Sequence, residues 1–131
     1  MEVVGLDHVQ LAMPAGQEDV ARRFYVGLLG LTEVTKPAGL VGRGGCWFVG
    51  PSIHLHLGGD PAFVPAAKAH PGLLVANLEA ARRTLDEAGV QVVDDEAIEV
   101  ERFYASDPFG NRLEFIAAGD RGFTERARTS P

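Results

Sequence analysis

The stretch HVQLAMPAGQEDVARRFYVGLLG, residues 8–30, has the pattern of a strand, a break, a helix and a closing glycine, in that order. Residues 70–89, HPGLLVANLEAARRTLDEAG, repeat this plan in the second half of the chain. Each run begins with a histidine and is followed by short segments of branched and aromatic residues, which are typical of strands. A plan that occurs twice indicates an internal duplication of two βαβββ halves.

The spacing of apolar residues predicts where each element lies. Alternation predicts strands over residues 3–13, 31–35, 46–49 and 52–57, and then over 70–76, 90–93, 100–105 and 112–117. Apolar residues at helical spacing predict helices over 18–29 and 78–88, closed by Gly30 and Gly89. The glycine-rich residues 39–45 predict a turn between strands.

These elements predict an α+β fold in a single domain over residues 1–118. Module one covers residues 3–57, a linker with two glycines and two prolines covers 58–69, and module two covers 70–117. Residues 119–131 are polar and lack periodicity, so we expect a flexible C-terminal tail.

Composition excludes several classes of function. The net charge of −6 argues against a nucleic-acid partner, because phosphate binding needs a basic face. No run approaches ~18 apolar residues and the N-terminus has no signal-peptide pattern, so we expect a cytoplasmic protein without a membrane partner. Cys46 is the one cysteine, and we expect a buried thiol rather than a catalytic one.

Four metal-competent side chains occupy matching places in the two halves. His8 precedes His54 by 46 residues, and His70 precedes Glu114 by 44. Each pair joins the start of a module to its last strand, which predicts one shared site for a divalent ion. Three imidazoles and a carboxylate suit Fe, Ni, Co, Zn or Mn and do not select among them.

The size of the ligand set stays open at this point. Four ligands would close a tetrahedral zinc site of structural type, or leave two adjacent positions for substrate oxygens around an octahedral ion. His8, His70 and Glu114 alone form a facial triad with three open positions. His56 shares the face of His54 and is an alternative fourth ligand. Glu114 is either a permanent ligand or a catalytic base that leaves the metal.

A further set of residues is predicted to contact a small-molecule substrate. Its members are polar or aromatic and lie near the candidate ligands: Gln10, Arg43, Trp47, His56, Phe103 and Tyr104. Trp47 and Phe103 could instead lie in the core. Tyr104 is either a candidate acid or a packed tyrosine. Asp107, in the run DPFG, is interpreted as a turn residue whose carboxylate accepts from backbone N–H groups.

Four motifs resemble those of a known superfamily. LDHVQLAM (6–13), FYVGLLGL (24–31), SIHLHLG (52–58) and DPFGNRLEF (107–115) are similar to vicinal oxygen chelate proteins, which include glyoxalases, bleomycin-resistance proteins and extradiol dioxygenases. The resemblance implies paired βαβββ modules that form a half-barrel cup. It also implies a metal ion held by His8, His54, His70 and Glu114, and a homodimer.

The resemblance implies three candidate functions. The first is a glyoxalase-like lyase or isomerase that acts on a small carbonyl compound through a metal-stabilised enediolate. The second is an Fe(II) extradiol-type dioxygenase, and the third is a small-molecule binding or resistance protein. Ala12 and Gly58 stand where bacterial glyoxalase I usually has an arginine and an asparagine for glutathione, so a glutathione adduct is not the expected substrate.

Overall fold

The computed structural model describes residues 1–97 and 99–120 of the 131-residue chain. The chain divides into two compact units, Met1–Pro65 and Ala66–Pro131. Each unit contains one four-stranded sheet and a helix in the order βαβββ. The predicted α+β class and the duplication of the element order are therefore confirmed.

Unit one contains strands β1 (Val9–Pro14), β2 (Thr32–Val34), β3 (Cys46–Gly50) and β4 (Ile53–Asp60), in the sheet order β1-β4-β3-β2. β1 runs parallel to β4, and the other neighbours are antiparallel. β1 begins at Val9 rather than at residue 3, because Val9 pairs with Leu55 and β4 begins only two residues earlier. His8 therefore lies just before its strand, not on it.

The first helix changes its geometry partway along. An α-helix, α1 (Glu18–Arg22), continues as a π-helix over Arg23–Leu28, and Gly30 follows with a positive φ of 73°. This region packs on one face of the sheet and forms the core of unit one with the buried residues Met13, Ala21, Phe24, Tyr25, Cys46, Phe48, Leu55 and Leu57. Cys46 is 2% exposed, as expected for a structural thiol.

The connections of unit one differ in detail from the predicted ones. A 3-10 helix, Ala38–Arg43, occupies most of the predicted turn. It ends at two glycines with positive φ, and at Gly45 a Cβ would overlap the carbonyl oxygen of Leu57. β4 extends through Asp60, so residues 58–60 belong to a strand and not to the predicted linker.

Unit two contains β5 (Gly72–Val75), α2 (Leu78–Glu87), β6 (Val92–Asp94), β7 (Arg102–Ser106) and β8 (Arg112–Ala117). The sheet order β5-β8-β7-β6 repeats that of unit one, again with one parallel pair, β5 and β8. Asn77 caps α2 through a 2.9 Å hydrogen bond from the backbone N–H of Ala80. β5 begins at Gly72, so His70 precedes its strand just as His8 does.

The core of unit two lies on the α2 side of the sheet. Its buried apolar residues are Leu73, Leu85, Phe103, Ala105, Leu113 and Phe115. Alternate residues of β7 and β8, among them Tyr104 and Glu114, therefore lie on the opposite face.

The turn between β7 and β8 has the predicted design. Asp107 accepts hydrogen bonds from the backbone N–H groups of Phe109 and Asn111, both at 2.9 Å, and Gly110 has a φ of 90°. The last described element is a 3-10 helix, Ala118–Asp120, so most of the predicted tail lies outside the described residues. Among the helices of residues 1–97 and 99–120, none is long and apolar enough to span a membrane.

Candidate metal centre

His70 and Glu114 come together in unit two, across the parallel strand pair. Glu114 on β8 pairs with Gly72 on β5, and His70 lies two residues before Gly72. His70 Nε2 is 3.1 Å from Glu114 Oε2, and Glu114 is 8% exposed. The structure thus brings the two predicted ligands of this module within hydrogen-bond distance.

The hydrogen bond made by His70 Nδ1 determines whether His70 Nε2 faces Glu114 with a proton or with a lone pair. His70 Nδ1 is 2.7 Å from the carbonyl oxygen of Lys68. A carbonyl can only accept, so Nδ1 carries a proton and donates it. In the neutral ring the Nε2 lone pair then faces a carboxylate oxygen. Two electron-pair donors at this distance need a shared proton or a cation between them.

The distance also fits adjacent metal ligands. Two ligand atoms about 2.1 Å from an octahedral ion, in neighbouring positions, lie about 3.0 Å apart. The 3.1 Å separation of His70 Nε2 and Glu114 Oε2 agrees with this value. A histidine whose other nitrogen donates to a carbonyl is also the usual arrangement at metal sites, because that bond fixes the ring. The donor set of unit two therefore fits a divalent ion.

The second oxygen of Glu114 is held by an arginine. Arg102 Nη1 donates to Glu114 Oε1 at 2.7 Å and to the Tyr104 hydroxyl at 2.5 Å, and Nη2 lies 2.9 Å from Asp95. The Arg102 side chain is only 7% exposed. Burial opposes its charge, but the hydrogen bonds to Glu114 and Tyr104 outweigh burial and raise the pKa of the guanidinium.

His8 in unit one is oriented in the same manner as His70. Its Nδ1 lies 2.7 Å from the carboxylate of Asp7, which leaves Nε2 as the free nitrogen. This hydrogen bond, with the charge of His8, lowers the pKa of the Asp7 carboxyl below its ordinary value. Both histidines that open a module thus donate through Nδ1 to an oxygen.

His56 lies between two other rings. Its ring stacks on Trp47 with centroids 4.0 Å apart and planes 3° apart, and on His8 at 4.2 Å and 17°. His56 is buried, which lowers its pKa, and the neighbouring His8 lowers it further. The side chain of His54 is exposed and makes no hydrogen bond or ring contact within the described part of the chain. The two histidines of β4 thus have different environments.

The remaining predicted substrate contacts are separated by the structure. Gln10 is exposed on β1 and pairs with His56, and Trp47 pairs with His56 from β3, so these residues share one region of the sheet. Arg43 is exposed in the 3-10 helix. Phe103 is 0% exposed and stacks on Phe115, so the assignment as a substrate contact is corrected to its alternative, the core.

Tyr104 lies on the face opposite the core, next to Glu114 in the β-ladder. The ring of His70 meets it edge-on, with centroids 5.4 Å apart, and the guanidinium of Arg112 lies 4.0 Å over its centroid. The sequence predicts two alternatives for Tyr104, an acid and a packed tyrosine. Tyr104 has features of both, because its ring is packed and its hydroxyl has a charged partner.

Two residues next to the candidate ligands were not predicted. Asp7 is adjacent to His8, so the dipeptide itself could have indicated a carboxylate–histidine pair. Arg102 gave no such signal, because its contact with Glu114 depends on the register of β7 and β8. Within the described part of either unit, no group of three histidine, cysteine, aspartate or glutamate side chains could hold a metal ion. The ligands shared between modules therefore remain a prediction.

Comparisons with known proteins agree with this architecture. The model of the Glyoxalase/Bleomycin resistance protein/Dioxygenase superfamily matches residues 5–115. A glyoxalase family protein from Bacillus anthracis is 44% identical, with a TM-score of 0.85 over 89% of this chain and 97% of that one. No curated protein matches the chain significantly.

More distant solved structures share the fold. Lactoylglutathione lyase from Agrobacterium tumefaciens is 17% identical, with a TM-score of 0.70 over 94% of this chain and all of that one. TnmS3, an antibiotic binding protein from Streptomyces sp. CB03234, is 21% identical, with a TM-score of 0.66 over 88% of this chain and 98% of that one. The match over most of the chain and the 44% identity establish that this chain belongs to the Glyoxalase/Bleomycin resistance protein/Dioxygenase superfamily.

Proposed function

We propose that this protein is a divalent-metal-dependent lyase or isomerase of glyoxalase type, acting on a small carbonyl compound. The observation that carries the proposal is the opposition of His70 Nε2 and Glu114 Oε2 at 3.1 Å, with Nδ1 of the histidine already donating to a carbonyl. When bound, a divalent ion supplies a Lewis acid that stabilises negative charge on a substrate oxygen next to the reacting carbon.

The proposed ligands are His8, His70 and Glu114, with His54 as a weaker fourth. His8 and His70 each have Nδ1 engaged by an oxygen, so that Nε2 is oriented for metal binding. His54 is exposed and has no such partner among the described residues, so its ring must be ordered when it binds. The rotamer entropy lost in that ordering weakens its contribution.

Glu114 is proposed as a metal ligand and as the base that takes the substrate proton. Both of its oxygens have partners, Arg102 on Oε1 and His70 on Oε2. A substrate proton would be accepted by Oε2, because Oε1 is held by a charged hydrogen bond of 2.7 Å to a buried guanidinium. Such bonds are about twice as strong as neutral ones. Arg102 therefore holds the carboxylate in place through one oxygen and leaves the other for the catalytic role that the sequence predicts for Glu114.

Tyr104 is the proposed proton donor to the substrate. Its hydroxyl accepts from Arg102 at 2.5 Å, so the phenolic proton itself is directed elsewhere. A hydroxyl that accepts from a cation is a better donor, because hydrogen bonds in a chain polarise one another. Tyr104 can thus hold a developing oxyanion by donating its proton to it.

Metal binding is tested first by elemental analysis of protein purified anaerobically without an affinity tag, followed by calorimetric titration of the stripped protein. We expect about one ion per chain, and its loss in His70→Ala and in Glu114→Ala. His54→Ala is the matched comparison and should weaken binding without abolishing it. Retained full occupancy in His70→Ala would refute the ligand assignment.

Bound metal should also protect the fold. An ion that binds only the native state stabilises it by about 4 kcal/mol when its free concentration is 1,000 times Kd. Removing the ion with a chelator should therefore lower the thermal midpoint, and adding it back should restore the midpoint. If elemental analysis shows bound metal and its removal leaves the thermal midpoint unchanged, the metal is not bound by the folded structure in the proposed way.

The reaction class is tested by proton exchange. In D2O, hydroxyketones and dicarbonyl compounds should exchange the proton at the carbon beside the carbonyl, with no oxygen consumed. Tyr104→Phe should slow this exchange and leave the metal Kd unchanged. Exchange that is equally fast without metal would count against the proposal.

A second candidate is an Fe(II) ring-cleaving dioxygenase. It is favoured because His8 and His70 have oxygen partners on Nδ1, whereas the side chain of His54 has none among the described residues. Without His54, the proposed ligands His8, His70 and Glu114 form a two-histidine, one-carboxylate set. Iron in the purified protein and oxygen uptake with a catechol would select it over the lyase. If no metal binds even after reconstitution, small-molecule sequestration becomes the better account.

A homodimer is proposed as well, because the resemblance to the superfamily implies one. Light scattering should then give twice the chain mass of 14.0 kDa. A monomer at micromolar concentration would refute this assembly.

A further inference from the structure

Three aromatic rings of unit one form a continuous column. Trp47 on β3 stacks on His56 on β4 at 4.0 Å and 3°, and His56 stacks on His8 at 4.2 Å and 17°. Cross-strand pairing of Trp47 with His56 fixes the first contact, because the two residues are direct neighbours in the antiparallel ladder. His56 is the central ring and is 7% exposed.

His8 depends on this column for its position. It lies one residue before β1, so no strand ladder holds its backbone at that point. Its side chain is 43% exposed, and its hydrogen-bond partner, Asp7, has a side chain that is 96% exposed. An exposed ion pair of this kind contributes little to order. Stacking on His56 is then the principal contact that fixes the plane of the imidazole.

We propose that His56 is a positioning residue that orients His8 toward the metal by ring stacking and is not itself a ligand. The proposal rests on the proposed function, because it assigns His56 a task at the same metal centre. Beyond the effect of buried area, a stacked aromatic pair favours its arrangement by about 2–10-fold, which is enough to select one ring orientation. The His8 side chain is 43% exposed and keeps an accessible nitrogen, whereas His56 is 7% exposed.

Two substitutions separate stacking from coordination. His56→Phe keeps a flat ring and removes both nitrogens, whereas His56→Gln keeps a polar side chain and removes the ring. If His56 positions His8, the Gln variant should raise the Kd for Co²⁺ by about 3–10-fold, the range open to the loss of one stacked aromatic contact. The Phe variant keeps a stacked ring and should stay within about twofold of the wild type. Kd is measured by calorimetry on stripped, full-length protein.

Trp47 provides a spectroscopic readout that a purely structural role of His56 would not change. It is the one tryptophan of the chain and lies at the other end of the column from His8. Co²⁺ bound at His8 should quench its emission in the wild type and in His56→Phe with the Kd found by calorimetry. In His56→Gln the quenching should require correspondingly more Co²⁺. Folding of each variant is checked by far-UV circular dichroism, and His56→Met replaces the Gln variant if that one does not fold.

Each outcome decides the proposal. Weak binding in both variants would mean that His56 acts through a nitrogen, and wild-type binding in both would mean that stacking has no role; either result overturns it. If the wild type binds no Co²⁺, the proposed function fails on its own. The stacking is then judged on metal-free protein by NMR: ring currents should shift the His8 ring protons upfield in the wild type and in His56→Phe, and not in His56→Gln. Equal shifts in all three would overturn the inference.

Discussion

Replacing Arg102 with methionine tests the buried charge cluster beside Glu114. Methionine keeps the apolar stem and the approximate volume of arginine, so the change removes mainly the charge and its hydrogen bonds. Arg102 has contacts of 2.7 Å to Glu114, 2.5 Å to Tyr104 and 2.9 Å to Asp95. In protein stripped of metal, Arg102→Met leaves the Glu114 carboxylate with His70 as its remaining partner in this cluster.

The expected cost follows from burial. The side chains of Arg102 and Glu114 are 7% and 10% exposed, so this is a buried ion pair with little solvent screening. Removing one partner of such a pair costs about 3–5 kcal/mol, because the other charge stays buried without compensation. His70 retains one contact to the carboxylate, so we expect the lower end, about 3 kcal/mol of unfolding free energy.

The assay is a double-mutant cycle by urea denaturation, followed by far-UV circular dichroism in the presence of a chelator. Glu114→Gln removes the negative charge, and the double variant removes both charges. Because the two groups are in contact, the double variant should lose about 1–3 kcal/mol less than the sum of the single variants. Strict additivity would refute the coupling that the 2.7 Å contact implies.

A surface ion pair in unit one is the control. Arg22 contacts Glu33 through two nitrogens at 2.8 and 3.1 Å, but the two side chains are 43% and 34% exposed. Arg22→Met should cost at most about 1 kcal/mol, since solvent screens the pair. If both substitutions cost the same, burial is not the factor that makes Arg102 important.

Two further predictions concern residues outside the proposed centre. Burial raises the pKa of the Cys46 thiol to about 11, so about one thiol in a thousand is ionised at pH 8. Native protein should therefore react with a disulfide reagent far more slowly than unfolded protein. Equal rates would contradict the burial of Cys46. Asp107→Ala removes hydrogen bonds of 2.9 Å from the backbone N–H groups of Phe109 and Asn111 and should cost about 2 kcal/mol, measured by urea denaturation. Asp60→Ala is the matched control, because its one 2.8 Å bond to a backbone N–H is exposed, and it should cost less than half as much.

Much of the fold could be predicted from local patterns. Helical spacing, strand alternation and glycines at positive φ are properties of adjacent residues, so the βαβββ order of each half was predictable. The ends of strands were less so. β1 begins at Val9, where its pairing with Leu55 begins, and that pairing depends on a strand more than forty residues away. The same reason left Phe103 undecided, since a short strand has two faces and only α2 determines which one is covered.

The candidate site also has features that the sequence predicts and features that depend on the fold. A linear pattern was enough to predict the duplicated plan, the histidine that opens each half and the carboxylate on the last strand of the second half, because these recur at matching positions. The folded chain was needed to show that Arg102 holds Glu114 and that His56 lies between Trp47 and His8. These contacts join residues on neighbouring strands, or a residue on a strand to His8 just before β1. Which residues meet depends on the register of the strands, and the register depends on which face of the sheet the core covers. No local pattern in the sequence specifies that face.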